Sequence, residues 1–272
     1  AQRLESLGDA KRFHLRLVNA CLRAQAQSNA LARHQLKVAI IGAGATGVEL
    51  AAELHRTTRA IISFGMDRVD PEKDLKVILI EAAPKILPAL SDRISTAAEK
   101  LLTDLGVEVI TNAKVQQVLE HQVVLSDGRE IPAELIVWAA GVKAPDFLKG
   151  IGGLETNHVN QLMVLPSLQT TLDANIFAIG DCAACPWPEA NNGKGGFVPP
   201  RAQAAHQQAS HLYKQINRII DHQPLKPYIY RDFGSLVSLG EYSSVGSMMG
   251  GLIGGSLMVE GMFAKMMYIS LY

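Results

Sequence analysis

Cysteine, aromatic side chains and net charge are all scarce in this chain. Three cysteines (Cys21, Cys182 and Cys185) in 272 residues are too few for a disulfide framework and fit a reducing compartment. Lysine plus arginine and aspartate plus glutamate balance at 26 each, which leaves no field to attract nucleic acid or acidic substrates. The chain opens at Ala1 with no initiator methionine, basic segment or apolar signal core, so a cytoplasmic setting is the default expectation. Internal repeats and low-complexity runs are lacking too. What the chain does have is apolar content: at 48% hydrophobic residues it can bury one large core or two modest ones.

The apolar residues are arranged with clear periodicities. Over residues 10–34, Leu15, Leu17, Val18, Cys21, Leu22 and Leu31 among polar neighbours predict a surface helix. Val38-Ala39-Ile40-Ile41 is instead a short continuous run, as in a parallel strand covered on both faces. A second run, Val77–Ile80, leads through Pro84 and Pro88 to a helix expected from Ser91 to Leu105, with Ser91 or Asp92 as its cap. Val107–Ile110 reads as a strand. Val115–Leu119 and Val123–Leu125 read as strands of a meander with a turn at Ser126–Arg129, and Leu135–Trp138 as another buried strand. Strands alternating with helices predict an α/β fold with a parallel sheet. A second sector begins with an expected strand at Asn175–Ile179, followed by a Pro- and Gly-rich loop, a helix over 201–220 and a strand at Ser235–Leu239.

Between the first strand and its helix stands Gly42-x-Gly44-x-x-Gly47, with Ala45 and Thr46 inside it. In this context Gly42 permits the tight turn, Gly44 lets the backbone approach a pyrophosphate, and Gly47 lets helix and strand pack closely. The helix N-terminus adds unsatisfied N–H groups and a partial positive charge. Glu81, ending the next strand, is the expected acceptor for ribose hydroxyls and favours NAD over NADP, since a 2′-phosphate would meet a like charge. It lies farther from the glycines than usual because residues 57–75 form a polar insertion. NAD(H) binding is therefore expected.

Three further segments resemble one family. Trp138-Ala139-Ala140-Gly141 closes the nucleotide domain, and Ile176-Phe177-Ala178-Ile179-Gly180-Asp181 resembles the second flavin motif of two-dinucleotide flavoproteins. Ala202-Gln203-Ala204-Ala205-His206-Gln207-Gln208 resembles the quinone-site motif of type II NADH:quinone oxidoreductases. The resemblance implies a Rossmann-like NAD(H)-binding domain with a parallel sheet and β-meander, plus the later part of an FAD-binding domain. It divides the chain into a connecting helix (1–34), the NAD(H) domain (35–145), the flavin part with its quinone-site helix (146–233) and the start of a membrane-facing region (234–272).

By residue, the resemblance assigns Gly42, Gly44, Ala45, Thr46, Gly47, Glu81, Ala140 and Gly141 to the nucleotide. Gly180 and Asp181 go to the flavin, Asp181 accepting a hydrogen bond from the ribityl chain. Glu49 is placed near the nicotinamide and flavin, although a helix-terminal glutamate satisfying the dipole explains it equally well. Gln203, Gln207 and Gln208 are placed at the quinone, with positions 203 and 207 one helical turn apart on a shared face. The implied cofactors are FAD and NAD(H). The implied activity is hydride transfer from NADH to FAD and then electron transfer to a membrane quinone, without proton pumping. Peripheral attachment to the cytoplasmic face of a bacterial membrane follows from the same resemblance, and a homodimer is counted among its partners.

The chain departs from the family in lacking an earlier Gly-x-Gly-x-x-Gly for the ADP half of FAD. It is therefore expected to be a fragment missing that motif and the C-terminal membrane segment. Two other readings stand beside it: an NAD(H)-binding module without electron transfer, and a flavin disulfide reductase using Cys182 and Cys185. A zinc site would need ligands beyond that pair, so no metal is assigned. The uncharged run Tyr242–Val259, with Gly246, Gly250 and Gly254 at small-residue spacing, has the minimal length of a membrane span, but its glycines disfavour a helix.

Overall fold

The computed structural model describes residues 1–4, 6–63, 65–141, 143–238, 244–248 and 257–260, with side chains as far as Phe233 except at Asn191 and Asn192. In chain order the elements are β1 (Gln2–Arg3), α1 (Leu7–Ala26), β2 (Lys37–Ile41), α2 (Ala45–Ser63), β3 (Lys76–Ile80), α3 (Asp92–Asp104), β4 (Glu108–Ile110), β5 (Val115–Val118), β6 (Gln122–Leu125), β7 (Glu130–Pro132) and β8 (Leu135–Trp138). They continue with β9 (Leu162–Met163), β10 (Ala183–Ala184), α4 (Ala190–Gly193), α5 (Ala202–Ile220), β11 (Gly234–Ser238), β12 (Ser244–Met248) and β13 (Leu257–Glu260). Two compact units result: Ala1–Ala140 together with the described strands from Gly234 onward, and Gly141–Phe233.

The first unit is built on a five-stranded sheet in the order β1-β8-β2-β3-β4, parallel throughout. Alternate residues of its strands enter different cores. Val38, Ile40, Val77, Leu79, Leu135 and Val137 pack against Phe13 and Leu17 of α1, Val48 and Ala51 of α2, and Ile94 and Leu102 of α3. Ala39, Ile41, Ile78, Ile80 and Ile136 face the antiparallel meander β5-β6-β7, meeting Ala113, Val123, Leu125 and Ala133. This two-sided cover explains the continuous apolar runs, since neither face of a strand reaches water. Each fully buried leucine or isoleucine contributes about 1.5–3 kcal/mol over the exposed state.

The helices start and stop for local reasons. The Asp9 N–H donates to Ser6 Oγ at 3.1 Å, which caps α1. This helix ends at Ala26 rather than continuing to residue 34. Gln27 turns extended, and its side-chain amide bonds the Asn29 carbonyl and the Gln35 amide, so Leu31 lies outside the helix. Ser91 does precede α3, but its hydroxyl makes no capping bond; Asp92 in the first turn pairs with Lys85 instead. The polar stretch 57–75 is partly helical, because α2 runs on to Ser63.

Gly47, in the first turn of α2, sits directly over the turn that precedes the helix. A Cβ built there would lie 1.9 Å from the Gly42 carbonyl oxygen, whereas one built at Gly44 meets nothing within 4 Å. In the same unit β11, β12 and β13 form an antiparallel sheet. The expected strand at Ser235–Leu239 corresponds to β11, though residue 239 lies outside the described residues. Within the run 242–259, the described parts are β12 and the first residues of β13. Gly250 and Gly254 lie outside, and among the described residues no helix is long and apolar enough to cross a membrane.

The second unit has little regular sheet. The parallel pair β9-β10 is supplemented by isolated bridges, and the core gathers Leu162, Val164, Leu168, Ala178, Cys185, Ala204, Tyr228 and Tyr230. The strand expected at Asn175–Ile179 is not formed; it is reduced to a single bridge, Gln169 with Phe177. The reason is its partner. Leu168 takes a left-handed backbone (φ 71°), which turns the facing segment away after one bridge. The helix expected over 201–220 is α5, entered through extended Arg201.

Alanine is the better helix former by about 1 kcal/mol, yet Gly47→Ala is expected to lower stability by about 1–3 kcal/mol through overpacking. Gly44→Ala should leave stability within about 0.5 kcal/mol of the parent. Urea unfolding of both variants checks this: equal midpoints would mean that the Gly47–Gly42 contact does not constrain the fold.

Candidate functional site

The glycine-rich turn begins where β2 ends. Gly42 has φ 103°, its N–H donates to the Ile80 carbonyl at 2.8 Å, and an added Cβ would lie 2.6 Å from the Ala140 backbone. Only glycine fits there, since both the conformation and the space exclude a side chain. Gly44, Ala45 and Thr46 are exposed, while Gly42, Ala43 and Gly47 are buried. The first turn of α2 therefore faces outward, where its N–H groups have no carbonyl four residues back within the helix. Helix N-termini of this kind favour anions, and the space over Gly44 is open.

Glu81 closes this turn from the side. The Ala43 N–H donates to its Oε2 at 2.7 Å, and the Ala83 N–H to its Oε1 at 2.9 Å. Its own backbone is fixed by β4, the N–H reaching the Ile110 carbonyl at 2.8 Å and the carbonyl accepting from Ala113 at 2.8 Å. The carboxylate is thus set beside the turn, half-buried. Lys85, four residues on, is held by the Leu90 carbonyl and the Asp92 carboxylate, both at 2.7 Å. That contact keeps the Asp92 carboxyl below its usual pKa. Glu49 lies half-buried one turn into α2. Ala140 abuts Gly42, and its carbonyl accepts from Trp138 Nε1 at 2.8 Å; Gly141, with φ 79°, is the first residue of the second unit.

In the second unit, Gly180 (φ 72°) and Asp181 form a short 3₁₀ turn with Cys182. The Gly180 N–H donates to Gln208 Oε1 at 2.6 Å, and Gln161 Nε2 donates to the Asp181 carbonyl at 2.9 Å, leaving the Asp181 side chain exposed. The flavin-motif turn and the glutamine helix are therefore brought together. The other two glutamines bind the extended segment before β11. Gln207 Nε2 donates to the Arg231 carbonyl at 2.8 Å and its Oε1 accepts from the Arg231 N–H at 3.1 Å. Gln203 Oε1 accepts from Phe233 N–H at 3.0 Å, and its Nε2 approaches the Asp232 carboxylate at 3.3 Å, which also meets Arg201 at 3.4 Å. Asp232 and Arg201 were not singled out in the sequence. Their signal is the alternation Tyr228, Tyr230, Asp232, which puts three residues on one side of an extended segment.

Both thiols of Cys182 and Cys185 are free. Cys182 Sγ contacts the Ile179 carbonyl and Cys185 Sγ the Pro186 carbonyl. Cys185 is buried, and burial pushes its pKa up to about 11, which keeps it protonated at neutral pH. His206 is exposed, and His211 Nε2 lies 3.0 Å from the Lys226 carbonyl. Among the described residues no group of three or more His, Cys, Asp and Glu side chains is placed to hold a metal.

Comparison with known proteins agrees with this architecture. The type II NADH:quinone oxidoreductase of Haemophilus influenzae is 44% identical over 239 residues, covering 88% of this chain and 52% of that protein. Its namesake in Staphylococcus aureus is 31% identical over 226 residues, 82% of this chain and 54% of that protein. The chain thus spans about half the length of the curated relatives it matches. Among solved structures, an NDH2 from Plasmodium falciparum in complex with NADH aligns with a TM-score of 0.80 at 19% identity, over 100% of this chain and 69% of that one. A ferredoxin reductase from Rhodopseudomonas palustris aligns with a TM-score of 0.64 at 23% identity, over 90% of this chain and 52% of that one. These structural likenesses carry the α/β fold. Residues 3–209 match the family described as pyridine nucleotide-disulphide oxidoreductase, and with most of its length inside that match the chain belongs to this family.

Proposed function

We propose that this chain is the nicotinamide-binding and quinone-facing part of an FAD-dependent NADH:quinone oxidoreductase. The observation that carries the reading is the turn at Gly42–Gly47, closed where helix and strand must touch and open at Gly44, with the Glu81 carboxylate fixed beside it. The exposed N–H groups at the start of α2 bind the pyrophosphate of NADH, and Glu81 accepts from the adenosine ribose. Gly180 and Asp181 hold the ribityl side of the flavin, with Glu49 assigned to the nicotinamide end. When bound, the flavin supplies the two-electron exchange between nicotinamide and quinone.

The glutamines serve the quinone end by holding donors in place. With Gln207 Oε1 and one N–H committed to Arg231, the amide plane is fixed, and so is the direction of its second N–H. Such a fixed donor suits a quinone carbonyl better than a mobile one, because no ordering is needed when the substrate arrives. The quinone implies contact with a membrane surface, peripheral and at the cytoplasmic face. No proton pumping is assigned to the reaction. A module that binds NAD(H) without electron transfer is favoured by one observation: the whole glycine turn and Glu81 belong to the first unit alone. A flavin spectrum separates the two readings. Bleaching by NADH and recovery with a short-chain quinone support the oxidoreductase, and nucleotide binding without a flavin signal leaves only the module.

Glu81→Gln is expected to weaken NADH binding about 10- to 100-fold, the equivalent of one hydrogen bond to a charged group, and to narrow the preference over NADPH. Unchanged discrimination would remove Glu81 from the ribose site. In the flavin-loaded protein, Gln207→Ala should slow quinone reduction while flavin reduction by NADH persists. If stopped-flow measurements find both half-reactions at parental rates, the quinone assignment fails.

A further inference from the structure

The backbone of Ala43, the second residue of the glycine-rich turn, is gripped at both its N–H and its carbonyl by one loop. Its N–H donates to Glu81 Oε2 at 2.7 Å, and its carbonyl accepts from the Leu87 N–H at 2.7 Å. Leu87 makes that bond from a left-handed backbone (φ 47°) while only 2% exposed. Such a conformation is costly for leucine and persists only where its surroundings hold it. Glu81 is anchored in turn by the Ala83 N–H at its other oxygen and by β4 on its backbone. Thus the strand-end loop clamps the turn, and the carboxylate is the part of the clamp that bonds Ala43 directly.

A carboxylate offers about four acceptor positions, and the two backbone donors use one on each oxygen. Glu81 can therefore receive ribose hydroxyls without releasing Ala43. A 2′-phosphate is different: its charge would drive Glu81 outward, and Ala43 would lose its acceptor at the same moment.

We propose that Glu81 is a positioning residue for the pyrophosphate turn as well as a ribose acceptor, so that phosphate affinity depends on a side chain that never touches the phosphate. This rests on the nucleotide reading above. It predicts that Glu81 matters even for a nucleotide with no ribose hydroxyls to offer. The test uses the whole chain with ADP and with 2′,3′-dideoxy-ADP, titrated calorimetrically into the parent, Glu81→Gln and Glu81→Ala. Amide exchange at Ala43 is followed alongside, with Ile40 in β2 as the reference. Glu81→Gln preserves the shape but has a single acceptor oxygen for the two N–H groups of Ala43 and Ala83, and it turns an NH2 donor toward one of them. The clamp is thus lost without a change of size, and this variant carries the result should Glu81→Ala fail to fold.

The expected result is a loss of about 10-fold or more for 2′,3′-dideoxy-ADP in the variants, with faster exchange at Ala43 and none of that acceleration at Ile40. Equal affinity of parent and Glu81→Gln for 2′,3′-dideoxy-ADP would overturn the proposal and leave Glu81 a ribose acceptor only, as would unchanged exchange at Ala43. A parent chain that binds neither nucleotide would instead remove the nucleotide reading, and this inference with it.

Discussion

The close approach of two backbones, Gly47 over the Gly42 carbonyl, is the contact on which the first unit depends. With no side chain between them, α2 begins almost on top of the end of β2, and its N-terminus is brought to the edge of the sheet. Gly42 must also clear Ala140, so the ends of β2 and β8 are drawn together around the same point. A larger residue at either glycine would push helix from sheet, and the outward face at Gly44, Ala45 and Thr46 would no longer be presented as one surface. Packing and ligand geometry are here the same constraint, since atoms excluded from the interior define the space left outside it.

The features that were legible in the sequence rest on local rules. Val38–Ile41, Val77–Ile80 and Leu135–Trp138 declared themselves as buried parallel strands because water is kept from both faces. The glycine spacing between a strand and a helix pointed to a tight turn with close helix–strand packing, and the turn at Ser126–Arg129 announced the meander. What could not be read depends on bonds between distant positions. The clamp on Ala43 spans 38 residues to Glu81, and Gln207 reaches 24 residues to Arg231. Neither leaves a periodic trace. The left-handed backbone at Leu168 was equally silent, because leucine has no preference for that conformation, and so the strand anticipated at Asn175–Ile179 was overestimated. The early end of α1 reflects side-chain amides of Gln27 and Gln35 that satisfy one another and the backbone more readily than further helix would.

The second unit meets its polar requirements differently from the first. Having few strand ladders, it uses glutamine amides as substitutes for peptide groups: Gln207 pairs with both backbone groups of Arg231, Gln208 receives the Gly180 N–H, and Gln215 receives that of Lys226. A glutamine amide has the donor and acceptor of a peptide bond on a flexible stem, so a helix can hold an extended segment as a neighbouring strand would. The side-chain oxygens of buried Gln208 and Gln215 are thereby given donors. The same unit keeps Cys185 buried, which suppresses its thiolate.

The sheet of the first unit separates two unlike coverings, helices on one face and a meander on the other, with alternate residues of each strand committed to one or the other. A strand that gained or lost one residue would exchange the two sets at a stroke, sending Val38 and Ile40 toward the meander and Ala39 and Ile41 toward the helices. Neither covering has the shape for the other's side chains. A change of chain length inside β2, β3 or β8 would therefore cost the packing on both faces at once. The register of β2 is thus also what sets Gly42 at the end of its strand.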